Sequence, residues 1–263
     1  MRIHALTTGT VRLKHAFLFA RPGLRRQLDL ALPGPWSEPM PIHCWAVEHD
    51  GGVTLVDTGE TALVRDVPFA KFQVAPDQEL PAALAAAGVE PGQVTATVLT
   101  HMHGDHMDGA VHVRGPVLVH DAELQFSRTP MARFWAKVLR QPVPTRVEFR
   151  PLALDGGRFG AFERSQALSE DGRLVAVGTP GHTPGHISVI CVDDDGRHVF
   201  LAGDTSDSLE QLRSLRPDAI GPKPEVYVAT LRTILAHARE HPTVYLPSHD
   251  PESVARLRAG TTL

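Results

Sequence analysis

His101-Met102-His103-Gly104-Asp105-His106 is the most informative stretch of this 263-residue chain. It places three imidazoles and one carboxylate within six residues, directly after an apolar run, 98–100, that predicts the end of a buried strand. Imidazole nitrogen and carboxylate oxygen are the ligands that Zn²⁺ binds where no thiolate is available. The stretch therefore predicts a metal site in a loop presented by a rigid strand.

Three later stretches carry further ligand-type side chains at or just past predicted strand ends. They are His182 and His186 in the Pro/Gly-rich turn 179–186, Asp204 at the end of the apolar run 199–204, and His249 in the stretch 243–250. Each stretch alone also fits an ordinary turn or a surface residue. Their order behind the first stretch indicates that they belong to the same site.

With these four blocks, the chain resembles the metallo-β-lactamase superfamily from about Val47 to about Leu257. The family order is a strand ending in Asp-Thr-Gly, then His-x-His-x-Asp-His, then a His, an Asp and a last His. Asp57-Thr58-Gly59 supplies the first of these. The resemblance implies an α/β fold of the αββα sandwich type. No linker or low-complexity segment is evident, so we expect residues 1–263 to form a single domain.

The resemblance also implies a site for two divalent metal ions, Zn²⁺ in the first place, with Fe, Mn or Co as alternatives. Its ligands would be His101, His103 and His182 for the first metal, Asp105, His106 and His249 for the second, and Asp204 as the bridge. Two neighbouring cations need anionic ligands to offset their repulsion, and the two aspartates provide them. Asp57 would orient a ligand imidazole, although a plain turn residue remains an alternative. His186 would have a supporting or structural role.

Within the superfamily the chain is most similar to the N-acyl homoserine lactonases, through 44–47, 55–59, 179–186 and 248–250. This similarity implies a small-molecule ester or lactone substrate. A bridging hydroxide would attack the carbonyl, and Asp105 would be the catalytic group that moves a proton to the leaving oxygen.

One position departs from the lactonase pattern. The lactonases carry a Tyr three residues after the bridging Asp, whereas this chain has Asp207 there. A hydrolase of another aryl or alkyl ester, a thioester or a phosphodiester therefore stays open. A non-catalytic, zinc-stabilised binding module is less favoured, because structural zinc sites are usually closed, four-coordinate and often rich in Cys.

The composition limits the partners. A net charge of −4 predicts no nucleic-acid partner and no anionic membrane partner, and no apolar run is long enough to span a bilayer. The apolar stretch 16–20 is too short for a signal-peptide core. Cys44 and Cys191 are far apart in apolar runs, so we expect buried free thiols and a cytoplasmic protein. A homodimer is suggested by the family resemblance alone.

Periodicity predicts two sets of strands with helices between and after them. The strands are expected at 42–48, 53–56, 95–100, 117–119, 173–177, 187–192, 198–201 and 243–246, and the helices at 81–87, from 121, at 226–239 and at 252–259. Two regions fit this core poorly, 21–41 and 127–150. The second shows amphipathic spacing from Met131, which fits either a helix packed on the core or a cap or dimer element beside an apolar substrate pocket.

Overall fold

Two β-sheets face each other in the computed structural model, which describes residues 1–19, 25–62, 66–141 and 143–263. The larger sheet has the strand order β4-β5-β1-β2-β3-β6-β7-β8. Its strands are parallel from β3 to β8 and antiparallel elsewhere. They are β1 (Arg2–Leu13), β2 (Met40–His49), β3 (Gly52–Val56), β4 (Asp66–Val67), β5 (Ala70–Gln73), β6 (Val94–Leu99), β7 (Val117–His120) and β8 (Phe149–Leu152).

The smaller sheet has the order β13-β12-β11-β10-β9. Its one parallel pair among the described residues is β12 with β13, and the other neighbours are antiparallel. The strands are β9 (Ser165–Ala167), β10 (Leu174–Gly178), β11 (Ile187–Val192), β12 (His198–Gly203) and β13 (Thr243–Pro247).

Helices cover the outer faces of both sheets. They are α1 (His15–Leu18), α2 (Arg25–Ala31), α3 (Leu80–Ala86), α4 (Gly104–Met107), α5 (Asp121–Ser127), α6 (Pro130–Val138), α7 (Leu209–Arg213), α8 (Pro224–Glu240) and α9 (Ser253–Ala259). Leu80 and Leu84 of α3 pack against the outer face of the larger sheet. Leu231 and Ile234 of α8 do the same for the smaller sheet. This arrangement is the expected αββα sandwich.

The main core lies between the sheets. Trp45 and Val56 from the larger sheet meet Ile187 and Leu201 from the smaller one, and all four side chains are buried. The central strands are buried on both faces, one against the opposite sheet and one against a helix. This double burial explains why β2 and β12 are continuous apolar runs instead of alternating ones.

Most predicted elements are confirmed with shifts of one or two residues at their ends. The hairpin of β2 and β3 pairs Val47 with Thr54. Cys44 and Cys191 are buried free thiols, as expected. No helix of the described residues is long and apolar enough to cross a membrane.

The long strand β1 was not expected, because its polar centre interrupts the apolar pattern. Its pairing with β2 shifts register between Thr7 and Thr10. Gly9, between them, has φ +91°, and a Cβ there would lie 2.6 Å from the carbonyl oxygen of Gln73. Gly9 therefore permits a bulge at which β1 also pairs with β5.

The two regions that fit the core poorly form short helices. In the first region, α2 is described, whereas residues 21–24 lie outside the described residues. In the second, α6 covers part of the amphipathic stretch, and Met131, Phe134 and Trp135 are 64%, 59% and 50% exposed. These side chains do not pack on the core, so the interpretation of the segment as a helix packed on the core is wrong for them.

Candidate metal centre

Every predicted ligand lies at the end of a strand. His101 and His103 follow β6, and Asp105 and His106 lie in the short helix α4 directly after them. The other three ligands are Asp204 just past β12, His249 just past β13, and His182 in the turn between β10 and β11. Because β3 and β6 are parallel, as are β12 and β13, the carboxyl ends of these strands deliver their loops to the edges of the two sheets where the ligands meet.

A first group of three imidazoles converges at this edge. Nδ1 of His103 lies 2.9 Å from Nε2 of His101 and 2.9 Å from Nε2 of His182. Their ligand atoms all lie within 4.8 Å of one another, which suits a single metal ion. These are the residues expected at the first metal.

A second group contains Asp105, His106 and His249, whose ligand atoms also lie within 4.8 Å of one another. Oδ2 of Asp105 is 3.3 Å from Nε2 of His249 and 3.9 Å from Nε2 of His106. These are the residues expected at the second metal.

Asp204 lies between the two groups. Its Oδ2 is 3.4 Å from Nε2 of His182 and 3.5 Å from Nε2 of His249. Its Oδ1 is 3.2 Å from Nε2 of His106. One carboxylate thus contacts imidazoles of both groups, as a bridging ligand must.

Three of the imidazoles are oriented through Nδ1, the nitrogen that faces away from the cluster. His106 Nδ1 donates to Oδ2 of Asp57 at 2.8 Å, and His249 Nδ1 donates to the carbonyl of Pro41 at 2.9 Å. His182 Nδ1 donates to Oδ2 of Asp218 at 2.5 Å. An acceptor at Nδ1 fixes the ring and turns Nε2 towards the site.

Asp57 has the orienting position expected for it. Besides His106, it accepts hydrogen bonds from the backbone N–H and the hydroxyl of Thr100, at 2.7 and 2.9 Å. Its φ is +62°, which is uncommon for a residue other than glycine. The hydrogen bonds to the loop after β6 hold this strained conformation in place.

His186 supports the bridging aspartate. Its Nε2 accepts the backbone N–H of Asp204 at 3.1 Å, so its Nδ1 carries the proton and donates to the hydroxyl of Thr179. That hydroxyl in turn meets Ser188 Oγ at 2.9 Å. His186 therefore helps to position the loop that carries Asp204, which is a supporting role of the kind predicted for it.

Two functional residues were not found from the sequence, Asp218 and Glu123. Asp218 also accepts backbone N–H groups through Oδ1, a turn pattern whose sequence signal says nothing about metals. Glu123 is buried and ties the two ligand loops together, because it accepts from Met102 N and Gly185 N, both at 3.1 Å, and from the hydroxyl of Thr183. No local pattern in the sequence marks it.

Burial and mutual repulsion lower the pKa of some imidazoles at the site. Desolvation, with His182 next in importance, lowers the pKa of His103 to about 3. Desolvation and then His106 lower the pKa of His101 well below its usual value. These imidazoles are therefore neutral at physiological pH, the form in which an imidazole can bind a metal ion.

Carboxylates have the opposite effect on the remaining ligand imidazoles. Burial alone would lower the pKa of His182, but Asp218 and then Asp204 raise it to about 9. At His106 and His249 the neighbouring carboxylates also outweigh the effect of burial. Asp204 raises the pKa of each ring the most, and both pKa values are well above the usual value for histidine. The site therefore has a negative field that stabilises positive charge, whether protons or metal cations.

The residues present fit divalent metal ions. Nε2 of His106 and Oδ1 of Asp204 are buried, and neither has a hydrogen-bond partner although they lie 3.2 Å apart. Buried polar atoms normally have such a partner. Two unbonded lone pairs in a cluster of imidazoles and carboxylates are the donor set that divalent zinc, iron or manganese would use.

Asp207 also belongs to the site. The residue is 7% exposed, and its carboxylate interacts with Asp204 and His249. Burial raises the pKa of Asp207 to about 7, with Asp204 adding to the shift.

Both tyrosines of the chain lie near the loop that carries Asp207, and both are buried. The Tyr227 hydroxyl donates to the carbonyl of Asp204, and the Tyr245 hydroxyl is hydrogen-bonded to the hydroxyls of Thr205 and Ser206. Neither hydroxyl is free to replace the missing tyrosine.

The other histidines lie outside the cluster. His120 donates to the carbonyl of Gly185 at 2.9 Å, and His112 lies 3.3 Å from Glu79. His198 and His241 stack on each other behind the smaller sheet. None of these rings contributes to the groups that could hold a metal.

Asp218→Asn is expected to weaken zinc affinity about 10- to 100-fold, because outer hydrogen bonds to ligand imidazoles contribute that much. The variant keeps the size of the side chain but removes the charge next to His182. Competition with a chromophoric zinc chelator measures the change. Asp155→Asn, at an exposed position away from the site, is the matched control, and equal affinities for the two variants would contradict the role of Asp218.

Two curated relatives match most of the chain. N-acyl homoserine lactonase AttM of Rhizobium radiobacter is 22% identical over 98% of this chain and 96% of its own length. N-acyl homoserine lactonase AiiA of Bacillus thuringiensis subsp. kurstaki is 23% identical over 83% of this chain and 85% of its own. The sequence resemblance to lactonases is thus confirmed.

Solved structures share the fold. An N-acyl homoserine lactone hydrolase with the product N-hexanoyl-L-homoserine at its catalytic metal centre superposes with a TM-score of 0.77, at 18% identity, over 96% of this chain and 94% of its own. AidC, a dizinc quorum-quenching lactonase, superposes with a TM-score of 0.64, at 16% identity, over 95% of this chain and 87% of its own. The family model of the metallo-β-lactamase superfamily matches residues 37–249. On that match and on the αββα architecture, the chain belongs to the metallo-β-lactamase superfamily.

Proposed function

We propose that this protein is a metal-dependent hydrolase that opens the ester bond of a lactone ring, with an N-acyl homoserine lactone as its substrate. The observation that carries the proposal is the pair of ligand groups joined by the carboxylate of Asp204. The relatives and structural neighbours named above, which are lactonases, support the choice of substrate.

In this proposal His101, His103 and His182 would hold the first metal ion, Asp105, His106 and His249 would hold the second, and Asp204 would serve both. Zinc suits a donor set of imidazoles and carboxylates. When bound, two such cations supply Lewis acidity and make hydroxide available near neutral pH.

Asp105 has the position of the proton carrier. Its carboxylate is 8% exposed and lies at the edge of the second ligand group, 3.3 Å from His249 Nε2. Burial would raise its pKa, but His106 and His249 overcome that effect and hold the pKa at about 2. An ionised carboxylate there can accept a proton from the attacking water and pass it to the leaving ring oxygen.

Asp207 supports a substrate with a hydrogen-bond donor. Its carboxylate lies close enough to Asp204 and His249 to interact with both, and a carboxylate there can accept a hydrogen bond from a donor that a ligand supplies. The amide N–H of an N-acyl homoserine lactone is a donor of this kind. Asp207 would then bind the substrate amide instead of the carbonyl oxygen that a tyrosine would contact.

Asp207→Ala is expected to lower kcat/KM for N-hexanoyl homoserine lactone about 10- to 100-fold, the effect of one hydrogen bond to a charged group. It should leave kcat/KM unchanged for γ-caprolactone, which has the ring but no amide. Asp207→Asn keeps an acceptor oxygen and is the matched control, with a smaller loss expected. An equal loss by Asp207→Ala on both lactones would show that Asp207 does not recognise the amide.

Product analysis tests the proposed reaction. Zinc-loaded protein is incubated with N-hexanoyl and N-decanoyl homoserine lactone, and the products are identified by mass spectrometry. We expect the ring-opened N-acyl homoserine. Release of free homoserine lactone would indicate amide cleavage instead, and an unchanged lactone would direct the search to other esters, thioesters and phosphodiesters.

The compartment we propose is the cytoplasm. Its support is chemical, because Cys44 and Cys191 are both free thiols, as is usual in a reducing environment.

A further inference from the structure

The apolar face of α6 is exposed to solvent. Met131, Phe134 and Trp135 are 64%, 59% and 50% exposed, and their spacing places them on one side of the helix. A surface helix ordinarily buries this face against the core. Large apolar side chains that cluster in solvent usually mark a site where something else binds.

Basic residues surround this face. The segment 127–150 carries exposed cations at Arg128, Arg133, Lys137, Arg140, Arg146 and Arg150. Its acidic residue is Glu148, which pairs with Arg150. The whole chain has a net charge of −4, so its net charge does not reveal the local excess of positive charge in this segment.

Two further exposed leucines belong to the segment of α2. Leu28 of α2 and Leu32 just after it are 61% and 56% exposed. Leu30 of α2 and Leu139 at the end of α6 pack on one common apolar cluster. The two helices therefore share this buried apolar cluster. We call Leu28, Leu32, Met131, Phe134 and Trp135, with the cations of 127–150, the α6 surface.

We propose that the α6 surface docks on an anionic phospholipid bilayer. Helices that lie in the bilayer interface combine Trp, Phe and Leu on one face with Lys and Arg beside them. The anionic cytoplasmic leaflet attracts such cations, and the apolar side chains enter the headgroup region.

The charge of the surface favours a bilayer over the other occupants. A second copy bound through the same patch would bring like charges together, because a two-fold interface pairs a surface with itself. A nucleic acid would neutralise the cations but would leave Met131, Leu28 and Leu32 without an apolar partner. An anionic bilayer satisfies both parts of the surface.

The apolar cluster on which Leu30 and Leu139 pack also contacts segments next to the candidate metal centre. Ile220, two residues from Asp218, packs on the same apolar cluster as Leu139. The carbonyl of Leu18 in α1 accepts from Gln211, whose Oε1 accepts the backbone N–H of Asp207. The docking itself does not depend on the proposed lactone hydrolysis.

Vesicle sedimentation of the full chain tests the proposal. The probes are vesicles of phosphatidylcholine with about 30% phosphatidylglycerol and vesicles of phosphatidylcholine alone, a composition chosen because anionic headgroups supply the attraction. We expect binding to the anionic vesicles at low salt and little binding to the neutral ones. Arg133→Gln with Lys137→Gln should weaken the partition about 30-fold, since each cation near an anionic surface contributes about fivefold.

Arg232→Gln with Arg239→Gln is the matched control, because it removes the same charge from exposed positions on α8. Its partition should equal that of the unmodified protein. Phe134→Ala with Trp135→Ala should also weaken binding. All these positions are exposed, so circular dichroism should show unchanged folding.

Tryptophan fluorescence gives a second readout. Of the three tryptophans, Trp45 is 1% exposed, Trp36 is half-buried and Trp135 is 50% exposed, and we expect a blue shift on anionic vesicles from Trp135, which the Trp135→Phe variant distinguishes from a shift of Trp36. Trp135→Phe should abolish the shift and retain binding.

Three outcomes would overturn the proposal. The first is no sedimentation with anionic vesicles at low salt. The second is equal loss of binding in the α6 and α8 double variants. The third is a dimer, or a nucleic-acid complex, that the α6 variants disrupt while vesicle binding is absent.

Discussion

Asp105→Asn is expected to lower turnover of N-acyl homoserine lactones by about 10² to 10⁴, the contribution of a positioned proton carrier. The amide keeps the size of the side chain and one oxygen that can bind metal, but it cannot accept and return a proton. Initial rates of proton release under saturating substrate measure the effect.

Metal content must be measured on the same samples. We expect Asp105→Asn to keep its metal at saturating zinc, so that the loss of turnover reports proton transfer and not an empty site. Asp155→Asn, exposed and distant from the cluster, should have unmodified turnover. Near-normal turnover of Asp105→Asn with its metal retained would show that Asp105 carries no proton.

His249→Ala is expected to lower bound zinc from about two ions per chain to about one, with turnover largely lost, because two-metal hydrolysis needs both ions. His249 belongs to the second ligand group with Asp105 and His106, and the imidazoles of the first group are untouched. Elemental analysis after dialysis gives the stoichiometry.

His15→Ala is the control, since His15 is exposed and lies in α1, away from the cluster. It should keep the zinc content of the unmodified protein. If His249→Ala also kept it, the assignment of His249 to the second metal would be wrong.

The convergence of the candidate ligands could be predicted because they follow strand ends in the order that the resemblance to the metallo-β-lactamase superfamily implies. The sequence names seven candidate residues, and the structure brings all seven into the groups around Asp204. An orienting contact of Asp57 with one of the imidazoles was also predicted, and in the structure that imidazole is His106. A short motif carries this information because rigid strands set the positions of the loops that follow them.

The supporting residues could not be predicted in this way. Asp218 reaches His182 across 36 positions of sequence, and Glu123 joins loops 21 and 62 positions away. Such contacts depend on how the sheets and helices pack, and a turn aspartate or a helical glutamate has no local pattern that reveals it. The strand β1 was missed for a related reason, since its stability comes from pairing with β2 and β5 and not from its own alternation.

The exposure of the apolar face of α6 could not be predicted from the sequence either. Its spacing predicts an amphipathic helix but does not tell whether the apolar face meets the core or solvent. Only the exposure of Met131, Phe134 and Trp135 distinguishes the two.

The measurement that tests the central claim most directly is the zinc content of the unmodified chain by native mass spectrometry, after equilibration with zinc and removal of loosely bound ions. The account predicts about two zinc ions per chain, since two ligand groups share one bridging carboxylate. One ion, or none, would contradict it.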